Sequence, residues 1–226
     1  MATNRVTASD ILEQYGVSPM ETFDVAQAAS ERIDYLADFL RSTGRKAYVL
    51  GISGGVDSTV AGVLAQRACE KLRAEGYPAT FVAMRLPAGV QADESDAQAA
   101  LAFMSPDVVL TVNVGGASTV LHDRGAAAFL ASGKKITAEK MDFDKGNVKA
   151  RMRMIAQYQQ AAQFEGLVLG TDHNAEAVMG FFTMWGDGAC DVTVLGGLNK
   201  RQVRAMAKYM GAPQALWSKP AMADLE

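Results

Sequence analysis

Ala47-Tyr48-Val49-Leu50-Gly51-Ile52 runs directly into Ser53-Gly54-Gly55-Val56-Asp57-Ser58-Thr59, and this junction decides the fold. A short, continuous apolar run with β-branched residues is the pattern of a strand buried on both faces of a parallel sheet. Past the junction Val60, Val63 and Leu64 restore helical spacing towards Gly76, with Pro78 beyond it. Strand, glycine turn and helix thus form one unit, with the turn at the carboxyl end of the strand.

Outward from this unit the alternation repeats. Upstream, Phe23, Ala26, Ala29, Ile33, Leu36, Ala37 and Leu40 recur at steps of three and four, which predicts an amphipathic helix over 22–40. Downstream, 79–86 reads as a strand, 92–104 as a helix, 108–112 as a strand and 118–130 as a helix. A helix over about 147–164 then leads to a fourth strand at 167–171, while the lysine-bearing segment 133–146 reads as a solvated loop. Strands separated by helices need crossover connections. The expected fold class is therefore α/β, a doubly wound, mostly parallel sheet with helices on both faces. Ligands of such sheets bind at the carboxyl ends of the strands.

Composition sets outer limits. The 226 residues suit one domain spanning 1–226. An apolar share of 49% with 21% charged residues is that of a globular chain and excludes a disordered, collagenous or disulfide-scaffold protein. Twenty-two Lys and Arg against 25 Asp and Glu leave a net charge of -3, so no field exists to hold a nucleic-acid backbone, and no nucleic-acid partner is expected. Cys69 and Cys190 stand far apart without CxxC spacing, and with only His122 and His173 besides, a thiolate or imidazole zinc site lacks ligands. Two such thiols suit a reducing compartment. Arg5, Asp10 and Glu13 stand where a signal peptide needs apolar residues, and no stretch approaches the roughly 18 apolar residues of a membrane span. The expected location is the cytoplasm, without a membrane partner.

The glycine turn carries the chemistry. Glycines there let backbone amides approach an anion closely, and the free N–H groups and dipole of the following helix favour negative charge. The expected guest is a phosphate chain. A plainer reading is a helix start capped by Ser53 or Asp57, with the glycines serving only the turn. Neither familiar phosphate loop matches. A Walker A loop needs a lysine where Asp57 stands, and Gly51, Gly54 and Gly55 do not give GxGxxG. Hydroxyls and a carboxylate without lysine suit a magnesium-bound pyrophosphate, with Asp57 reaching the metal. The bond to be cleaved is then the one between the α and β phosphates. A cation opposes the charge gathering there with about 4 kcal/mol per charge pair at ~4 Å.

Ser53 to Ser58 after a buried strand resembles the pyrophosphate loop of the N-type ATP pyrophosphatases. Further stretches narrow the resemblance to the ammonia-dependent NAD synthetases: Met84-Arg85-Leu86-Pro87, with Gln91 to Glu94 and Asp96 to Gln98 after it; Lys145 to Arg151, with Arg153 and Met154; Gly170-Thr171-Asp172-His173-Asn174-Ala175-Glu176; Gly180-Phe181-Phe182-Thr183; Gly186-Asp187-Gly188 with Asp191; and Leu198 to Gln202. They fall in order between 51 and 202, and the likeness extends more weakly to both ends. The loop alone would mark only the superfamily.

The resemblance implies an adenine nucleotide alpha hydrolase-like, Rossmann-like fold. It also implies a ligase that adenylates deamido-NAD with ATP, releases pyrophosphate, and amidates the adenylate with ammonia to give NAD and AMP. ATP is then the co-substrate, Mg2+ the cofactor, and the protein a homodimer, with the 22–40 helix as one candidate contact surface. Carried over residue by residue, Gly51, Ser53, Gly54, Gly55, Val56, Asp57 and Ser58 would hold ATP, joined by Arg85, Gln91, Thr171, Lys200 and Met222. Asp57 and Glu176 would bind magnesium and, with Lys200, form the catalytic group. Arg151, Met184, Asp191 and Asp224 would face deamido-NAD. The residue types suit these roles, since a hard cation takes oxygen ligands and a lysine counters phosphate charge. No protein nucleophile is required, because the substrate carboxylate itself attacks phosphorus.

The chain also departs from the family pattern. Met184 stands where a lysine is usual, Met222 replaces a threonine, and the family's C-terminal segment with its His–Lys pair is expected to be lacking after Glu226. Two other functions follow from these features: the same chemistry on a different acceptor, or a nucleotide-binding module with impaired turnover. Individual residues have plainer readings as well. Arg151 and Arg153 can be the solvated face of a helix whose apolar side is Val148, Met152 and Ile155. His173 can be a surface contact of Glu176, Asp172 a helix cap, Phe181 and Phe182 core residues, and Cys190 a small buried hydrophobe.

Overall fold

The computed structural model describes residues 16–89, 94–180 and 182–218, together with Thr7, Asp10 and Gln14. After a 3₁₀ turn at Met20–Thr22, helix α1 (Val25–Ser42) leads to β1 (Ala47–Gly51), α2 (Val56–Ala74), β2 (Thr80–Arg85), α3 (Glu94–Met104) and β3 (Val108–Thr111). Then follow α4 (Gly115–Ala131), α5 (Ala138–Gln163), β4 (Gly166–Gly170), α6 (Asn174–Met179), β5 (Val192–Thr193), α7 (Lys200–Tyr209) and α8 (Gln214–Ser218). The five strands lie in the order β3-β2-β1-β4-β5, and every neighbouring pair is parallel. The order reverses between β1 and β4, so the carboxyl ends of these two strands flank the crevice of a doubly wound sheet.

Strand alternation divides the core in two. Tyr48, Leu50, Phe81 and Ala83 point into a cluster with Leu36, Leu40, Val60, Leu64 and Met206, beneath α1, α2, α3, α7 and α8. Ala47, Val49, Val82 and Met84 point the other way, to Ala156 and Ala161 of α5. Because side chains alternate with a period of two, a one-residue slip would exchange these faces. The pairing of Tyr48 with both Phe81 and Leu167 is the register that avoids it.

The structure corrects two expectations and adds a strand. The 133–146 segment is not all loop. Thr137 accepts the N–H of Lys140 at 3.2 Å and starts α5, whose first turns are rich in Ala, Glu, Lys and Met, all good helix formers. A helix with polar residues on most sides gave no apolar stripe to detect. The two-residue β5, likewise, is too short to show a period. Finally, the apolar stripe of α1 is buried in its own core through Ala29, Leu36, Ala37 and Leu40, while Tyr35, stacked on Phe39, stays exposed. More exposed apolar side chains mark α4 and α5, at Val120, Leu121, Leu130, Phe143 and Ile155. Ile155, expected on the apolar side of its helix, thus faces outward. Among the described residues no helix is long and apolar enough to cross a membrane.

Candidate active site at the β1–β4 crevice

The loop after β1 is built on its own hydrogen bonds. Gly55 is the N-cap of α2, so neither Ser53 nor Asp57 caps the helix. Ser53 Oγ accepts the Gly55 N–H at 3.2 Å and lies 3.1 Å from Ser58 Oγ; Thr59 Oγ1 donates to the Gly55 carbonyl at 2.8 Å. Gly54 has φ +84°, and a Cβ there would lie 2.7 Å from the Ala97 nitrogen at the start of α3. Both the positive φ and the backbone contact demand glycine. At the base of the loop, the Gly51 N–H donates to Gln157 Oε1 of α5 at 2.7 Å.

Asp57 sits in the first turn of α2, beside Val56, and faces across the crevice. Lys200, the first residue of α7, reaches it with Nζ 2.5 Å from Asp57 Oδ2 and 3.9 Å from Glu176 Oε1. The lysine is well anchored: Asn199 Oδ1 accepts the N–H groups of Arg201 and Gln202 at 3.0 Å each, and Gln202 Oε1 accepts the Asn199 N–H at 2.8 Å. Glu176, on α6, uses Oε2 to accept the His173 N–H at 3.3 Å. Asn174 ties α6 to the turn before α7, since its Oδ1 accepts the Gly197 N–H at 2.9 Å and its own N–H donates to the Leu198 carbonyl at 3.1 Å. The three residues expected to be catalytic, Asp57, Glu176 and Lys200, therefore meet.

His173 meets them too, which its reading as a surface contact did not anticipate. It is 3% exposed, with Nε2 3.7 Å from Asp57 Oδ1 and 3.6 Å from Glu176 Oε1. His173, not Asp172, is the N-cap residue of α6. Asp172 is half-buried, and burial, helped by Asp187 and Glu176 nearby, pushes its carboxyl up to about 6. Burial also raises Glu176, with Asp57 adding to it, and lowers His173 against the pull of Asp57. These directions share one first cause, burial, which disfavours the charged form of each group; neighbouring carboxylates add to the rise of Asp172 and Glu176, and Lys200 supplies the compensating positive charge. Asp57 Oδ1 is buried without a hydrogen-bond partner. Carboxylate oxygens left in that condition fit a hard dication such as Mg2+.

Other expected residues lie in separate groups. Thr171 follows β4 on the same rim. Arg85, at the end of β2, is buried, with Nη1 donating to the Ile52 carbonyl and Nη2 to Glu94 Oε2 at 2.7 Å, so the guanidinium supports the loop from below. Arg151 Nε donates to the Met184 carbonyl at 3.3 Å, while the Met184 side chain is exposed. Arg151 also lines a cleft of about 400 Å³ between α4 and α5, with Leu121, Phe129 and Asn147. Asp191 Oδ2 accepts the Val168 N–H at 2.7 Å, and Tyr158 donates to Oδ1 at 3.4 Å. Gln91, Met222 and Asp224 lie outside the described residues, as does Phe181. Phe182 is 44% exposed and so is not a core residue. Cys190 is half-buried, 3.3 Å from Thr193 Oγ1, and burial raises its thiol; Cys69 is buried and pushed up to about 12. Neither carries a ready thiolate.

Besides His173, sequence reasoning missed Gln157 and Tyr158, the partners of Gly51 and Asp191. The signal was a polar pair, one turn past Arg153, on the part of α5 that crosses the strand ends.

Known proteins resemble this chain in sequence and fold. The family model described as NAD synthase matches residues 28–226. The chain is 55% identical over 205 residues to the NH(3)-dependent NAD(+) synthetase of Burkholderia lata, covering 90% of this chain and 71% of that protein. It is 52% identical over 228 residues to that of Rhodococcus erythropolis, covering 100% of this chain and 78% of the relative. The crystal structure of NAD+ synthetase from Burkholderia pseudomallei superposes with a TM-score of 0.84 at 50% identity, covering 96% of this chain and 77% of that one.

Proposed function

The chain belongs to the NAD synthase family, and from that premise we propose how its residues divide the reaction. The activity is ATP-dependent ligation of ammonia to deamido-NAD, giving NAD, AMP and pyrophosphate. A carboxylate oxygen of the nicotinate attacks the α phosphorus of ATP, and the bond to the bridging oxygen of pyrophosphate breaks. The nitrogen of ammonia then attacks the activated carboxyl carbon; AMP leaves, and a proton leaves the nitrogen.

The observation that carries the residue assignment is the meeting of Lys200 with Asp57 and Glu176 beside the Ser53–Ser58 loop. The loop holds the phosphate chain with its backbone N–H groups at the start of α2. Asp57 and Glu176 hold Mg2+, which, when bound, offsets the charge of the departing pyrophosphate. Lys200 holds Asp57 in place and presents its ammonium to the phosphates. Arg85, beneath the loop, keeps the Ile52 end of β1 fixed. Thr171 completes the rim on the β4 side. Arg151, on α5, and Asp191, held to α5 by Tyr158, receive deamido-NAD. Positioning and charge neutralisation do the catalytic work, since no thiolate or other protein nucleophile is needed. Incubating the protein with ATP, magnesium, deamido-NAD and ammonium is expected to release AMP and pyrophosphate. Release of ADP and phosphate would overturn the mechanism.

The protein works as a homodimer in the cytoplasm, and the face joining two copies is that of α4 and α5. Leu121 and Phe143 there are 54% and 59% exposed, and the face continues into the cleft that Arg151 lines. Contiguous apolar surface of this kind marks an interface. Phe143→Glu is expected to halve the mass measured by light scattering, and an unchanged mass would place the interface elsewhere.

A further inference from the structure

Asp57, His173 and Glu176 offer one more ligand than the two carboxylates assigned to magnesium. We propose that they form a three-ligand site for a first-row transition dication such as Mn2+ or Zn2+, with His173 Nε2 as its nitrogen ligand, occupied before ATP arrives. The proposal rests on the reading that Asp57 and Glu176 face the cation of the reaction.

The geometry has the form of a coordination shell with its centre open. One donor atom from each of the three residues lies within 4.8 Å of the others. His173 Nε2 stands 3.7 Å from Asp57 Oδ1 and 3.6 Å from Glu176 Oε1, too far for hydrogen bonds. Two ligands about 2.1 Å from an ion at the tetrahedral angle are about 3.4 Å apart, so a small inward movement places all three around one ion.

The unused atoms converge on the same point. His173 Nε2 has no hydrogen-bond partner although the side chain is buried, and Asp57 Oδ1 has none either. A buried imidazole left in that state is unfavourable unless a ligand completes it. Meanwhile the second oxygen of each carboxylate is engaged, Asp57 Oδ2 by Lys200 and Glu176 Oε2 by the His173 N–H. These bonds orient the remaining oxygens towards the imidazole, as outer partners do in metal sites. One nitrogen and two carboxylate oxygens favour Zn2+ over Mn2+, and both over magnesium, whose ligands are oxygens. Three protein ligands also leave a position open for water or a phosphate oxygen.

Pulsed electron paramagnetic resonance on the full chain with Mn2+ and no nucleotide tests this. One Mn2+ per chain is expected, with nitrogen-14 coupling from the imidazole. His173→Ala and His173→Gln are expected to abolish the coupling and to weaken Zn2+ binding, measured by competition against Mn2+, about tenfold or more. Mn2+ bound to the unaltered protein without nitrogen coupling, or not bound at all, overturns the proposal; that spectrum decides the point even if both variants fail to fold. The reading of the carboxylates fails separately, if Asp57→Asn keeps full turnover with magnesium while the nitrogen coupling persists.

Discussion

The two banks of the crevice use their polar groups in opposite ways. On the β1 bank Ser53, Gly55, Ser58 and Thr59 bond to one another, and Gly51 bonds to Gln157. Facing the β4 bank, Asp57 Oδ1 and His173 Nε2 remain unpaired, and Lys200 lies near two carboxylates at once. The first bank is a preformed mould held by the fold. The second is electrostatically incomplete, and burial, with neighbouring carboxylates adding to it, raises its half-buried Asp172 and Glu176. A mould tolerates few changes of shape, whereas an incomplete site tolerates few changes of charge.

That contrast can be broken at several points. Gly54→Ala should have the largest effect, because it combines a positive φ with a backbone clash at Ala97. A loss of about 3 kcal/mol in urea unfolding, together with lost ATP binding, is expected. Unchanged stability would show that the loop is not set by its contact with α3. Asp57→Asn should instead spare the fold, changing unfolding by no more than about 1 kcal/mol while lowering turnover ~10²-fold or more, equivalent to about 2.7 kcal/mol. A large stability loss with normal turnover would make Asp57 structural and reverse the contrast.

Smaller changes sharpen the comparison. Asn174→Ala removes the acceptor of the Gly197 N–H and loosens the link that sets Glu176 against Lys200. About 1–2 kcal/mol is expected, seen as a raised KM for ATP in steady-state kinetics. Gln157→Leu leaves the Gly51 N–H unpaired at the foot of the loop and should cost about 1 kcal/mol in unfolding free energy, with kcat nearly unchanged. A kcat loss in Gln157→Leu larger than that in Asp57→Asn would mean that the mould, and not the charge, limits the reaction.

Much of this was legible in the chain itself. β1 to β4 and the helices between them were readable because period two and period 3.6 are local properties. The turn at Ser53–Ser58 was readable because glycines after a buried strand mark the break between strand and helix. The segment 133–146 was misread because a helix solvated on most sides has no stripe, and β5 was missed because two residues have no period. His173 was underrated because its spacing to Glu176 fits a surface pair equally well. Its burial comes from tertiary packing, which spacing does not encode. The 22–40 helix had its stripe correctly placed, yet a stripe does not say whether its partner is the same chain or a second copy.

By itself the sequence determined a parallel α/β sheet with a glycine turn at the end of β1, since each element rests on neighbours a few residues away. Only the tertiary structure decided that Lys200 lies on Asp57, 143 residues away, that Gln157 holds Gly51 from 106 residues away, and that His173 closes the space between two carboxylates. Such meetings follow from the strand order, which brings β4 beside β1. That order is settled by the burial of both sheet faces at once, and no local run of residues contains it.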